Sequence, residues 1–152
     1  MAKQARQRKE YNTSERDTRV EDPAEEFLVR LSVGPRSVPS DRLAITHFSA
    51  LLKAWPLTSG DWAYLLRLQP RTIAERIRHS RDFTGLEAER VRVVERVLER
   101  GKEVFGTADK LGRWLDRSHP LFEGKKPKEM LVTMQGLGLV MAELGRIEHG
   151  VF

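Results

Sequence analysis

The sequence contains no cysteine. That excludes disulfides, thiolate metal sites and cysteine nucleophiles, and it suits a reducing cytoplasm. Long apolar runs are also missing. Nothing approaches the ~20 residues that span a bilayer and no signal peptide is visible, so no membrane association is expected. The four histidines stand at 47, 79, 119 and 149, and no two share the His-x-x-x-His spacing of a metal pair. Neither a Gly-x-x-x-x-Gly-Lys phosphate loop nor a dinucleotide Gly-x-Gly-x-x-Gly turn occurs. Gly136-Leu137-Gly138 follows a helical pattern and not a strand, so it fails as a dinucleotide turn on context. The acids between residues 87 and 99 alternate with arginines, which is the pattern of surface pairing and not of acid–base catalysis. No catalytic residue, metal or cofactor is therefore expected, and the chain is expected to act by binding.

What is present is charge. Charged residues make up 32% of the 152 and apolar residues 39%, which favours a highly solvated helical protein. The net charge is +5, and residues 41–80 hold +3 of it, from six basic and three acidic side chains. A basic second quarter fits a phosphate-binding face as well as an ordinary solvated one.

Residues 1–22 offer only Tyr11 and Val20 as sizeable apolar groups, too few to offset chain entropy, so they are expected to be disordered, within a disordered or weakly ordered arm over 1–39. Within it, Phe27 to Val33 fits a short helix or an extended segment equally. Ser40 is expected to cap a helix to Ala54, with Leu43, Phe48, Leu51 and Leu52 as its apolar stripe and Trp55-Pro56 as its stop. Thr58 or Ser59 caps a second helix that buries Trp62, Leu65 and Leu66, with Asp61 in its first turn. A third helix is expected from Pro70 to His79, with Ile73 and Ile77 facing the core together.

Two short helices joined by a tight turn, the second one basic, form the pattern of a helix-turn-helix, although the usual turn glycine is missing. Arg71 and Thr72 stand at the N-terminus of the second helix; Glu75, Arg76 and Arg78 follow on its outer sides. These five are the candidate DNA-binding residues.

Thr84-Gly-Leu-Glu87 reads as a capping box opening the longest helix, to Phe105. Its apolar positions include Leu86, Val93, Val94, Val97, Leu98 and Phe105; Leu86, Val93 and Leu98 also suit a dimer seam. Arg90 is assigned to its solvent face. Thr107 caps a helix to Arg117, with Leu111, Trp114 and Leu115 inward, and Pro127 starts another that buries Met130, Leu131 and Met134. Gly136 and Gly138 permit a kink or close helix contact. The last helix carries Leu137, Val140, Met141, Leu144 and Ile147 inward. The residues after it, to Phe152, fit a packed end, a frayed end or a segment offered to another molecule.

Val104-Phe105-Gly106, Trp114-Leu115, Phe122, Gly124, Pro127, Leu131, Thr133, Gly136, Val140, Leu144, Ile147 and Gly150 resemble the C-terminal toxin-binding domain of the Xre/MbcA/ParS antitoxin family. Leu68-Gln-Pro-Arg-Thr-Ile73 looks like that family's helix-turn-helix segment, and residues 85–105 like its connecting helix. Gln69 stands where the family would place a serine, and Ser118-His119 where it would place proline-asparagine. The resemblance implies an all-α fold: a small helix-turn-helix domain with its long connecting helix over 40–104, then a three-helix toxin-binding domain over 105–152. It implies an antitoxin that neutralises a RES-domain toxin, itself NAD-consuming or ADP-ribosylating, by covering the toxin's active site. Arg146, Glu148, His149, Gly150, Val151 and Phe152 are the implied toxin-binding residues. Operator DNA is the implied second partner, with the chain acting as a homodimer or a larger toxin–antitoxin assembly. A stand-alone regulator whose C-terminal domain serves dimerisation, or a protein-binding module without DNA binding, would carry the same helices.

Overall fold

The computed structural model describes residues 41–150. The expected N-terminal arm, Ser40, Val151 and Phe152 lie outside them. The described residues are mostly helical: α1 (Ile45–Ala54), α2 (Ser59–Leu66), α3 (Pro70–Arg78), α4 (Gly85–Phe105), α5 (Ala108–Leu115), α6 (Pro127–Met130) and α7 (Met134–Glu148). A 3-10 turn covers Pro120–Phe122. Two short strands, β1 (Arg42–Leu43) and β2 (Phe83–Thr84), pair antiparallel, with Arg42 opposite Thr84 and Leu43 opposite Phe83.

The strands correct two expectations. The first helix starts at Ile45, because residues 42–43 are extended and paired. Its N-cap, Ala44, has no polar side chain to offer. Asp82, 37 residues away, supplies the missing acceptor: the Ile45 N–H donates to its Oδ1 at 2.9 Å. That bond, followed by the Arg42 ion pair, holds the Asp82 carboxyl below its usual value. The capping box at Thr84 does not form. Thr84 is extended within β2 and makes no side-chain cap bond, while Glu87 turns to Arg76.

Elsewhere local signals hold. Thr58 caps α2 in a reciprocal box with Asp61: the Asp61 N–H donates to Thr58 Oγ1 at 3.0 Å and the Thr58 N–H to Asp61 Oδ2 at 2.8 Å. Pro70 opens α3, where its missing N–H costs nothing. The α2–α3 turn achieves a left-handed residue without glycine. Arg67 adopts it at φ 55°, and its N–H reaches the Ala63 and Tyr64 carbonyls. Side chains disfavour that region by roughly 1–2 kcal/mol, which the bonds at the α2 terminus offset.

One continuous core runs through the described residues. Phe48, Trp62 and Phe83 form its aromatic centre, with Phe48 edge-on to Trp62 at 5.3 Å and 4.7 Å from Phe83. The inner face of α4 is Ala88, Val91, Val94, Val97, Leu98 and Gly101. Leu98 is buried while Leu86 is 83% exposed, so Leu86, Val93 and Leu98 make no common seam. Helix α5 crosses α4 at Gly101, where a Cβ would lie 2.5 Å from Leu111 Cδ1. At Gly136 an added Cβ would stand 1.9 Å from the Met130 carbonyl oxygen, so only glycine fits where α6 meets α7. Three apolar residues expected inside are exposed: Ile77 near the end of α3, Leu86, and Met134 at the first position of α7.

Arg90, assigned to solvent, points inward. Its Nε donates to the Leu65 carbonyl at 2.6 Å and its Nη2 to the Leu131 carbonyl at 3.3 Å. Burial, with the Arg67 charge, lowers its pKa. Lys128 makes a second junction, 3.0 Å from Asp61 Oδ1 at the start of α2 and 2.7 Å from Asp116 Oδ1 just after α5.

Candidate functional site

Two faces carry the candidate residues. The first is the outside of α3. Its Arg71 is exposed and donates through Nε to Glu75 Oε1 at 2.9 Å; Arg78, also exposed, lies 3.9 Å from the same carboxylate. Thr72 is half-buried on the first turn. Arg76 stands apart from this face. Its guanidinium sits 4.7 Å above the Phe83 ring, reaches the Asp82 carbonyl at 3.4 Å and pairs with Glu87 at 2.7 Å. It ties α3 to β2 and the start of α4. Arg71, Thr72, Glu75 and Arg78 are brought together; Arg76 is turned to the frame behind them.

The second face is the C-terminal half of α7. Thr133 caps the helix by accepting the Gly136 N–H at 3.0 Å. Leu137, Val140 and Leu144 bury one side against the core, which leaves Arg146, Glu148 and His149 outward at the end. Gly150 follows in the left-handed region at φ 66°. Val151 and Phe152 lie outside the described residues.

Each outward charge at this end is held by a second residue that sequence reasoning missed. Arg146 Nη2 lies 2.5 Å from Glu143, a buried carboxylate one turn earlier. Glu143 also meets His119 Nε2 at 3.5 Å. The His119 ring sits between Trp114 and Phe122, with centroids at 6.3 and 5.1 Å. Glu148 is paired with Arg100 of α4, which also bonds Glu103 at 3.1 Å. The bond to Glu148, opposed by partial burial and aided by Glu103, raises the Arg100 pKa. The three-residue spacing of Glu143 and Arg146 was legible as a helical pair; the 48-residue separation of Arg100 and Glu148 was not.

Among the described residues no three His, Asp or Glu side chains converge as a metal site, and no single helix is long and apolar enough to cross a membrane.

A family model described as the antitoxin Xre/MbcA/ParS C-terminal toxin-binding domain matches residues 100–150, which take in the end of α4 and all of α5 to α7. A protein of Pseudomonas putida named antitoxin Xre is 31% identical over 111 residues, covering 73% of this chain and 69% of that one. Another antitoxin Xre, from Photorhabdus laumondii, is 28% identical over 123 residues, covering 79% and 83% respectively. Both alignments are longer than the C-terminal domain. The chain belongs to the Xre antitoxin family.

Proposed function

We propose that this chain neutralises a RES-domain toxin, one that consumes NAD or transfers its ADP-ribose, by laying the end of α7 over the toxin's active site. The observation that carries this reading is the paired, preorganised polar end of α7 inside the matched domain. Glu143 fixes Arg146 and Arg100 fixes Glu148, so two charges of opposite sign are presented with little freedom left to lose on binding. Arg146, Glu148, His149 and Gly150, continued by Val151 and Phe152, are the toxin-facing residues. An NAD-handling cleft must bind pyrophosphate and ribose hydroxyls, and a carboxylate beside a guanidinium can occupy the same donors and acceptors. The α2–α3 pair is assigned to the operator of the same operon, with Arg71, Thr72, Glu75 and Arg78 facing the DNA and Arg76 bracing them. The residue ranges 40–104 and 105–152 are the corresponding functional halves.

Removal of residues 148–152 tests the toxin half. In co-expression with its cognate toxin, proposed to be a RES-domain protein, the truncated chain should fail to restore growth. Its helical circular dichroism should be retained, because the ion pair it loses is part-exposed and worth at most about 1 kcal/mol. Full protection by the truncated chain overturns the mechanism.

A further inference from the structure

The described residues include six large apolar side chains left exposed, and three of them line one groove. Tyr64, Leu121 and Leu139 are 59%, 53% and 44% exposed around an open cavity of about 640 Å³, with Met130 and Gly136 also lining it. Single exposed apolar residues need no explanation, but a cluster of them in a concavity marks a docking surface.

The position of the groove says what docks there. Along α7, Gln135, Leu139, Arg146 and His149 are all exposed and recur at intervals of four, seven and three, so they share one helical stripe. Leu139 lies seven residues, about 10 Å, from Arg146 on that stripe. The groove and the end of α7 therefore lie along one side of the helix, and all the groove's lining residues except Tyr64 fall inside the matched toxin-binding domain. Glu123 and Glu129 lie on the same lining with Lys125 as the only cation.

We propose that this groove is a second docking surface for the toxin, taking a leucine- or phenylalanine-sized side chain flanked by basic groups on a toxin helix or loop. The inference rests on the toxin-binding reading above and adds two things to it. The contact runs from the end of α7 to its start, and through Tyr64 it reaches α2. Tyr64 sits just before the α2–α3 turn, and its carbonyl accepts the Arg67 N–H at 3.1 Å. A toxin seated in the groove thus touches α2, the helix joined to α3 by that turn.

The test is calorimetric titration of the full chain with its cognate toxin, proposed above to be a RES-domain protein. Leu139→Glu and Tyr64→Glu should each weaken binding at least tenfold, as expected for an apolar anchor turned into a charge, at roughly 1.4 kcal/mol per tenfold. Leu86→Glu, more exposed but on α4 and not among the groove's lining residues, should leave affinity unchanged. All three should keep the wild-type melting temperature, since none of the three side chains is buried. Affinity within twofold of wild type for Leu139→Glu overturns the proposal. So does a change in self-association of the free chain with toxin affinity intact, which assigns the groove to a second copy. If removal of residues 148–152 weakens binding while Leu139→Glu does not, the groove inference alone falls. If the wild-type chain does not bind the RES-domain protein, both readings fall together.

Discussion

Replacing Arg90 should cost this small protein a large part of its stability. The guanidinium spans two carbonyls that helix geometry leaves without partners. Helix α2 ends at Leu66, and its Ala63 and Tyr64 carbonyls are taken by Leu68 and Arg67 of the turn. The Leu65 carbonyl is taken by Arg90 Nε at 2.6 Å. The Leu131 carbonyl, after α6, accepts the second bond at 3.3 Å. A bond involving a charged group contributes about 1.5–3 kcal/mol. Allowing full value to the short bond and about half to the long one, less the desolvation relieved when the cation leaves, Arg90→Met should cost about 2–3 kcal/mol. Methionine retains most of the apolar stem, so the loss reports the bonds and not the packing. Lysine presents one point charge without the fork, and Arg90→Lys should recover about half of the loss. At roughly 2–4 °C per kcal/mol for a chain of this length, the melting temperature of Arg90→Met should fall by about 4–12 °C. Guanidinium unfolding measures this directly as a lower midpoint at unchanged slope. Arg96→Met on the exposed face of α4 is the control, expected within about 0.5 kcal/mol of wild type. If Arg90→Met is as stable as that control, the two carbonyls are satisfied without Arg90 and the clasp has no energetic role.

The Lys128 junction should show in the pH dependence of stability. Burial opposes ionisation of Asp61, but bonds from Thr58 and Lys128 outweigh it and set its pKa below the usual value. Its contribution is therefore complete above the ordinary carboxylate range near pH 4 and lost as pH falls through the lower folded value. The bond to Asp116, opposed by burial and joined by Asp61, raises the Lys128 pKa, so that contribution is complete below about pH 10 and lost above it. The melting-temperature difference between wild type and Lys128→Met should be flat from about pH 5 to 9 and shrink below about pH 4; a difference that grows in acid contradicts the assignment. On the DNA side, Arg71→Ala with Arg78→Ala should weaken operator binding about tenfold or more at fixed salt and flatten its salt dependence by about two units of slope. Arg76→Ala should instead register mainly as lost stability, and an unchanged operator affinity in the Arg71–Arg78 double variant refutes the α3 interface.

What was legible in the sequence was what neighbouring residues decide. Thr58 with Asp61, Thr107, Pro70 and Trp55-Pro56 mark helix ends because each acts within four residues of its own position. The long helix from Gly85 to Phe105 and its valine face follow from the same short-range periodicity. Most of the misses share one physical cause: a partner distant in sequence replaced a local one. Asp82 caps α1, so the chain before Ile45 was free to pair as a strand. Arg76 drew Glu87 away from Thr84, so the capping box never closed. Arg90 has acids on both sides in the sequence, at Glu89 and Glu95, which disguised an inward guanidinium as a surface one. Ile77 keeps helical register with Ile73, yet α3 ends one residue later and its last turn is no longer covered. The outward charges at the end of α7 were readable from polarity and the Glu143–Arg146 pair from its spacing; Arg100, 48 residues from Glu148, was not.

These distant contacts converge on α4, and that bears on how the two faces act together. Arg90 joins α4 to the end of α2 and to the α6–α7 junction, while Arg100 joins it to the end of α7. Glu87 joins it to α3 through Arg76. A partner that only takes Glu148 from Arg100 perturbs the last turns of α4, about 20 Å along the helix from Glu87 at 1.5 Å per residue, and has no direct contact with α3. A partner that also fills the groove meets Tyr64, three residues from the left-handed Arg67 that sets the α2–α3 angle. Arg67 holds that conformation without the freedom of glycine, so a contact at Tyr64 is expected to bear on the placement of α3. If the proposed contacts hold, toxin at the end of α7 and toxin in the groove should be separable in their effect on operator binding. Only the second should act on the helix pair itself, and the difference between the Leu139→Glu and 148–152 deletion variants in operator affinity of the toxin complex is its measure.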